Sequence, residues 1–575
     1  MNKKEVAEAL EEIGLLLELA GENPFKTRAY GSAARAIERS AGDLKGLVET
    51  GELLKVKGIG DSIFAKIKQM VEQDKSSYLE ELHAKVHRGL VEMIRIPGFG
   101  PKRARAVHEK LGINSLGELE YACRENRLVK LEGFGQKSQD KILAGIQFLK
   151  RHQGRFLISD ALSDAERLLA VVQGCKETIR ACVAGSLRRC KETVKDVDIL
   201  AAVRESGPVM DAFTKAKGVE TVAAKGDTKS SIVLSSGLAS DLRTVSEKEY
   251  PYALAHFTGS AEHNIAMRAR AQQKFGYKLN EYGLFKGDKL IDAKDEKEIF
   301  KKLDLAYIEP ELRENAGEIE AAEKGKLPNL LRMEDIKGVL HVHTTASDGS
   351  DSLDEVAKAA EEAGYLYLGV TDHSKTAVYA GGLKEQDVLE QHRAIDNLNK
   401  KLKKLRILKG TESDILPDGS LDFPDKVLER FDFVVVSVHS SFNLSRAEMT
   451  KRIVKAMKNP YTSILGHPTG RLLLAREGYD VDLDELLKVA AGEGVAVELN
   501  ADPHRLDLDW RYGKRAHDLG VKVAIDPDAH SAEAFSVMRY GVGIARKGWL
   551  EAGDVLNALE TEALLRFFQK RRSSK

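Results

Sequence analysis

Two groups of residues in this sequence have the types and spacing for metal-assisted phosphate chemistry. The first is Asp196-Val197-Asp198, which opens an apolar run and is joined further on by Asp241 in Asp241-Leu242-Arg243. On a strand, positions i and i+2 share a face, so Asp196 and Asp198 point the same way. Two like charges so placed cost free energy unless a cation sits between them, and a pair of divalent ions is the arrangement used for phosphoryl and nucleotidyl transfer. Taken alone, such a pair also fits a solvated strand edge. The second group is rich in imidazole: His341 and His343 share a strand face, Asp348 lies just beyond, and His373, Glu412, His439, His467, Asp528 and His530 end or follow later apolar runs. Nine of the 15 histidines fall after residue 315, and imidazoles with carboxylates but no thiolate suit manganese, zinc or iron.

Both groups need strands to position them. Between about residues 155 and 315, short β-branched runs (Thr178 to Ala184, Val197 to Val203, Ser231 to Leu234, Leu242 to Val245) alternate with helical stretches, which predicts a mixed α/β or α+β domain. A polar stretch from Pro310 to Asp335 follows. Beyond it come seven strand-like runs with helices between them: Val339 to Thr344, Leu366 to Asp372, Arg406 to Gly410, Phe433 to His439, Ser463 to Gly466, Val495 to Leu499 and Val521 to Ile525. Repeated strand-helix units predict a β/α barrel, which gathers its C-terminal strand ends onto one rim and lets distant residues converge.

The first 150 residues have helical spacing broken by one turn type used three times. Gly58-Ile59-Gly60, Gly98-Phe99-Gly100 and Gly133-Phe134-Gly135 each precede a helix carrying basic residues: Lys66 and Lys68, then Lys102, Arg103 and Arg105, then Lys137 and Lys141. Glycines there let a backbone approach closely, and the N-terminus of the second helix offers N–H groups to a phosphate. Any single copy could equally be a sharp corner. Asp61 sets the first copy apart, because a carboxylate there repels a phosphate.

Composition bounds the rest. At 575 residues the chain is too long for one small binding module, and 89 Lys+Arg against 89 Asp+Glu gives no net basic charge to advertise nucleic acid. Four cysteines without a C-x-x-C pair argue against a disulfide framework and a thiolate zinc site. The absence of a signal-like N-terminus and of any long apolar run predicts a soluble protein of the cytosol. The basic runs Lys400 to Arg406 and Lys570-Arg571-Arg572 read as solvated faces.

Further residues fall into recognisable order. Gly185-Ser186-Leu187-Arg188-Arg189, the three aspartates, Phe257-Thr258-Gly259-Ser260, Asn264, Met267-Arg268 and Asn280-Glu281-Tyr282 have the order and spacing of X-family DNA polymerases. The resemblance extends through Asn23-Pro24-Phe25-Lys26 and Ala29-Tyr30 to about residues 1–315. It implies that Asp196, Asp198 and Asp241 bind two magnesium ions, that Gly185, Ser186 and Arg189 hold the incoming triphosphate, and that Gly259, Ser260, Asn264 and Arg268 lie beside the nascent base pair. It also implies that Gly58, Gly60, Gly98, Gly100, Lys102, Gly133 and Gly135 contact DNA backbone, and that Lys66 matches the Schiff-base lysine of a 5′-deoxyribose phosphate lyase. Three positions depart from the family: His256 replaces an aromatic residue, and Cys190 and Lys195 replace glycines.

The later set resembles the polymerase and histidinol phosphatase (PHP) superfamily, whose trinuclear site uses nine ligands in the order His341, His343, Asp348, His373, Glu412, His439, His467, Asp528 and His530. Val339 stands where an acid is common, and no ligand is affected. An X-family polymerase followed by a PHP domain is the bacterial form. The resemblance thus implies a multidomain chain: a helical lyase-like domain with the first hairpin (1–85), a helical DNA-binding subdomain with two more (86–150), an α+β nucleotidyltransferase palm (151–255), a thumb-like subdomain (256–315), a linker (316–334) and a distorted seven-stranded β/α barrel (335–575). The function implied is filling of short DNA gaps with dNTPs, coupled to 3′–5′ exonuclease or 3′-phosphoesterase activity. That reading expects gapped or nicked DNA and dNTPs as partners, manganese or zinc (up to three ions) in the PHP site, a monomer, no membrane, and a nucleoid-associated place in a bacterial cytoplasm. A DNA-end scaffold with a vestigial polymerase, or a PHP half acting as a small-molecule phosphatase, are the alternatives.

Overall fold

The computed structural model describes residues 1–575 apart from 41, 42, 57, 125, 126, 132, 153, 475, 574 and 575. The chain divides into two compact units, Met1–Gln153 and Gly154–Lys575.

The first unit is helical. Helix Lys3–Leu19 starts at an Asn2 and Glu5 capping box and buries Leu10, Ile13, Leu16 and Leu17, in one core cluster with Tyr30, Ala33, Ala34 and Ile37 of helix Pro24–Arg39. The three glycine turns are built alike. The first glycine of each (Gly58, Gly98, Gly133) has a left-handed φ of 105°, 75° and 83°, which a side chain would strain. The middle residue is buried, and its N–H bonds back three residues: Ile59 to Val56, Phe99 to Ile96, Phe134 to Leu131. The second glycine (Gly60, Gly100, Gly135) sits just before a helix, Asp61–Gln73, Pro101–Leu111 or Gln136–His152, with open space where a Cβ would stand. Lys57 and Glu132 of the turns lie outside the described residues.

The second unit opens with a five-stranded mixed sheet in the order Thr178–Val183, Asp196–Val203, Ala239–Val245, Lys229–Leu234, Val219–Lys225. Only Asp196–Val203 and Ala239–Val245 run parallel. Ile199, Ile232 and Leu242 share a core with Ala165, Leu168 and Val172 of helix Ile158–Gln173. The strand Val219–Lys225 was not expected from sequence; it is an exposed edge with no buried alternation to betray it. Helices Tyr250–Thr258 and Ala261–Phe275 and a small three-stranded sheet follow. The stretch 316–334 holds helix Glu318–Glu323, which buries Glu318, Ile319 and Ala322.

The remaining strands are parallel and form two sheets: Gly338–Val342, Tyr367–Val370 and Arg406–Lys409, then Glu412–Asp414, Val435–Ser437, Ile464–Leu465, Ala496–Asn500 and Val523–Asp526. The seven expected runs are joined by an eighth strand, Glu412–Asp414, which follows the third run just past Gly410, where a Cβ would lie 2.6 Å from the Phe433 ring and 2.7 Å from the Val370 carbonyl. Single parallel bridges, His373 with Glu412 and Val342 with Ala529, link the sheets, and no continuous ladder closes a barrel among the described residues. Phe433 packs with Leu340, Leu408 and Val435 in a cluster capped by helix Thr561–Ser573, whose Phe568 stacks on it at 5.2 Å between centroids. The basic tail corrects the sequence reading. Arg571 is buried, donating to the carbonyls of Met457, Asn459 and Glu493, and Arg572 donates to that of Phe431, so these side chains cap loose chain ends.

Gly369 is a tight point of this layer, since an added Cβ would meet the Phe433 ring at 2.6 Å and Leu340 Cα at 2.9 Å. Gly369→Ala is expected to destabilise the protein by about 1–3 kcal/mol through overpacking, read as a lowered melting temperature.

Candidate metal centre and nucleotide-binding loop

The nine residues of the imidazole-rich set sit at the C-terminal ends of the parallel strands or in the loops just after them, and the structure brings all nine together. His343, Asp348, His373 and His530 offer ligand atoms within 4.8 Å of one another; so do His341, His343 and Asp528, and so do His373, Glu412 and His439. His467 Nε2 completes the set at 3.1 Å from Glu412 Oε1. His341 Nε2 and both ring nitrogens of His343 are buried without a well-formed hydrogen bond, and the two Nε2 atoms face Glu412 and Asp528 oxygens at 3.2–3.6 Å. Buried ring nitrogens converging on carboxylates fit a divalent cation.

Outer residues fix the ring orientations. Glu498 Oε1 meets His341 Nδ1 at 2.6 Å, and its other oxygen accepts from the His467 backbone N–H at 2.6 Å. Asp414 Oδ1 meets His439 Nδ1 at 2.7 Å, and Asn500 donates to Asp528 at 3.1 Å. Such contacts set which nitrogen faces inward and raise ligand basicity. Sequence reasoning missed Glu498, Asn500 and Asp414; the available signal was a carboxylate inside the apolar run Val495 to Leu499. Arg505, missed as well, brings its Nε to 3.7 Å from Asp528.

Charge is balanced within the cluster. Burial alone would discharge the imidazoles, but Glu412 and Asp348 outweigh it and push His373 up to about 10, and Glu412 and Asp414 push His439 up to about 9. Burial likewise raises Glu412, yet His439, His341 and His373 hold it well below the carboxylate range. Binding of a metal ion by such ligands is coupled to release of the protons they carry.

The second site lies on the mixed sheet. Asp198 pairs with Asp241 across the parallel strands, and Asp196 lies two residues before Asp198 on the same strand. Burial, then Asp196 and Asp241, push the Asp198 carboxyl up to about 6. Lys229 Nζ meets Asp241 at 2.6 Å. Gly185, at φ 61°, presses on this pair, since a Cβ there would stand 2.1 Å from Asp198 Oδ2. Only glycine lets the Gly185–Arg188 turn approach Asp198 so closely, and Ser186 follows it directly in the chain.

Arg188 bonds Glu296 at 2.7 Å and Thr258 Oγ1 at 2.6 Å; Arg189 donates to the Thr258 carbonyl at 2.8 Å and to Glu314 at 3.0 Å. Ser260 caps helix Ala261–Phe275 by accepting from His263 N–H. Asn264 donates to the carbonyls of His256 and Gly259, and Gly259 leaves no room for a side chain against Asn264. Arg268, His256, Asn264 and Asn280 line one pocket. In the first unit, Lys66 lies 4.6 Å from the Tyr78 ring centroid and 3.2 Å from Ser62 Oγ, and burial with Lys26 lowers its ammonium pKa.

Comparison with known proteins agrees with this layout. Family models match for a helix-hairpin-helix domain (residues 1–76), a SAM-like helix-hairpin-helix tandem (90–147), the DNA polymerase beta thumb (253–314) and the PHP domain (340–502). The DNA polymerase/3′-5′ exonuclease PolX of Bacillus subtilis (strain 168) is 38% identical over 574 residues, covering 99% of this chain and 100% of that protein. The chain belongs to the PolX family. Proteins named probable phosphatase are similar over part of the chain: one from Thermoanaerobacter sp. (strain X514) is 31% identical over 222 residues (35% of this chain, 80% of its own), and one from Syntrophotalea carbinolica is 29% identical over 238 (39% and 92%). No described helix is long and apolar enough to cross a membrane.

His341→Ala combined with His343→Ala removes two inward ligands from one strand. Metal content measured on the purified protein is expected to fall to background in the PHP centre, with the circular dichroism spectrum unchanged.

Proposed function

We propose that this PolX-family chain extends primers in short DNA gaps with dNTPs and hydrolyses DNA 3′ ends in its histidine-rich half. The observation that carries the polymerase is the contact of Gly185 with Asp198, which sets the start of the Ser186–Arg189 loop against a carboxylate paired with Asp241 on the neighbouring strand. Magnesium held by Asp196, Asp198 and Asp241 would supply charge neutralisation and a more acidic primer 3′-hydroxyl. Ser186 and Arg189 bind the triphosphate oxygens, and the Gly185 backbone keeps them close to the carboxylates. Gly259 and Ser260 shape the turn that holds Asn264, which with Arg268 faces the nascent base pair. Glycines of the three hairpins, with Lys102, contact DNA backbone phosphates, a reading of position rather than base sequence.

In the histidine-rich half, the nine ligands would hold up to three manganese or zinc ions, which would supply Lewis acidity near neutral pH. Six imidazoles favour these ions over magnesium, which prefers oxygen ligands. The two parallel sheets are read as the parts of a distorted barrel around that centre. The domain bounds follow the sequence reading, 1–85, 86–150, 151–255, 256–315 and 335–575 with 316–334 between, in a monomer of the bacterial cytoplasm. A free phosphomonoesterase is the second reading, favoured by the relatives named probable phosphatase. Parallel assay of phosphomonoesters and 3′-labelled oligonucleotides separates the two, and release from DNA is expected to dominate.

Asp198→Ala is expected to abolish incorporation on a gapped duplex while leaving manganese-stimulated 3′-end hydrolysis within about two-fold of wild type, because the sites have separate ligands. Loss of both activities in a folded variant overturns the two-site reading. The lyase reading of Lys66 predicts only weak trapping. Its pKa is lowered, as a Schiff-base amine requires, but Asp61 opens its helix and repels the sugar phosphate. Borohydride trapping on a 5′-deoxyribose phosphate flap should be faint in wild type and absent in Lys66→Ala.

A further inference from the structure

Directly after the triphosphate loop, four consecutive residues are gripped by the histidine-rich half of the same unit. The Arg189 carbonyl accepts from Lys547 Nζ at 2.9 Å. Cys190 packs on Gly543, where an added Cβ would stand 3.0 Å from its sulfur. Lys191 lies 5.2 Å from the Trp510 ring centroid, and Glu192 pairs with Arg471 at 3.4 Å. Gly543 and Lys547 are one turn apart on helix Met538–Lys547, so one helix face carries both contacts.

Lys547 is fully buried. Its Nζ also reaches Glu314 Oε1 at 2.6 Å and the Glu311 carbonyl at 3.3 Å, and it stands 4.6 Å from the Trp510 ring centroid. Glu314 is the carboxylate that fixes Arg189 through Nε, so the ammonium holds the arginine twice: through its backbone, and through the acid that orients its guanidinium. Burial pulls Lys547 down to about 8, which leaves it mostly charged at neutral pH. Cys190 adds a second constraint. Its φ of 52° is left-handed, a conformation glycine adopts freely and cysteine does not, so its side chain is retained in a strained position against Gly543.

We propose that Lys547, with Gly543 on the same helix, is a positioning element of the polymerase, by which the histidine-rich half holds Arg189 in its triphosphate-binding pose. This rests on Arg189 binding the incoming triphosphate. It requires that loosening the helix contact weakens dNTP binding with the polymerase carboxylates and the PHP ligands all intact.

The test uses full-length protein with gapped DNA, reading KM for dNTP, kcat and manganese-dependent 3′-end hydrolysis. Lys547→Met keeps the length and removes the charge; KM is expected to rise roughly 10-fold or more with kcat changed far less, since a misplaced binding group acts on affinity first. Hydrolysis of 3′ ends should stay at the wild-type rate. Gly543→Ala approaches the same loop without touching a charge, and should also raise KM by forcing Cys190 away. Cys190→Gly added to Gly543→Ala removes the opposing sulfur and should return KM toward wild type, a rescue that general destabilisation would not give. Arg189→Ala is the reference. If it raises KM while Lys547→Met and Gly543→Ala do not, the coupling is wrong and the triphosphate reading stands. An unchanged KM in Arg189→Ala removes the foundation of both. If Lys547→Met loses 3′-end hydrolysis as well and so has misfolded, the Gly543→Ala effect and its rescue decide: their presence supports the coupling and their absence overturns it.

Discussion

Glu412 is a fully buried carboxylate with five imidazoles around it, those of His341, His343, His373, His439 and His467, at 3.0–3.6 Å. Such a group is tolerable away from water only if positive charge surrounds it, and the five rings come from four different segments. Much of the architecture of the second half follows from that need. Strands must end at one level, so they are short and parallel. The layer beneath must be thin enough for them to converge, so Gly369 and Gly410 both lie against the Phe433 ring and Gly466 lies against Ser437. Outer carboxylates, Glu498 and Asp414, then hold the rings that would otherwise turn.

The mixed sheet meets the same electrostatic problem with fewer cations and more water. Asp196 is exposed, Asp241 leans on Lys229, and burial with the neighbouring carboxylates pushes Asp198 up to about 6. Its carboxylates stay partly hydrated and available to a hard, oxygen-seeking ion, whereas the buried imidazole set suits softer ones. Nearby, Glu296 is buried between Arg188 and Arg313; burial raises it, but Arg313 and Arg188 bring it down to about 2. That triad fixes the first arginine of the loop and leaves the second, Arg189, to Glu314.

What could be read from sequence was whatever one residue type in one spacing decides. The i, i+2 aspartates, the repeated Gly-apolar-Gly turns and the ordered histidines are patterns of that kind, and the structure gathers the residues they named. What escaped was decided by partners distant in the chain. Glu498 looked like a stray acid in an apolar strand until His341 and His467 stood beside it. The edge strand Val219–Lys225 carries no buried alternation because almost all of it is exposed. Arg571 looked solvated because its acceptors, carbonyls at chain ends of the second half, have no sequence signature. The short strand Glu412–Asp414 is polar and three residues long, and it is defined by its pairing with Val435–Ser437 further along the chain.

Helix Met538–Lys547 is packed against both halves of the second unit. Gly541 faces inward, where a Cβ would meet Ala501, the residue after Asn500, and Ile525 of strand Val523–Asp526, each at 2.6 Å. Gly543 faces Cys190 and the nucleotide loop. Both faces of one helix are therefore packed to contact without side chains, and close-packed interiors transmit displacement because they have no void to absorb it. Around this helix the contacts are ionic, Arg546 with Glu311 and Lys547 with Glu314, and buried ion pairs contribute little net stability compared with apolar packing. Their geometry is nonetheless exacting, since a guanidinium or ammonium out of place leaves a carboxylate unpaired in low dielectric. Apolar contacts across the second unit hold its parts together, and the ion pairs fix the position at which they are held.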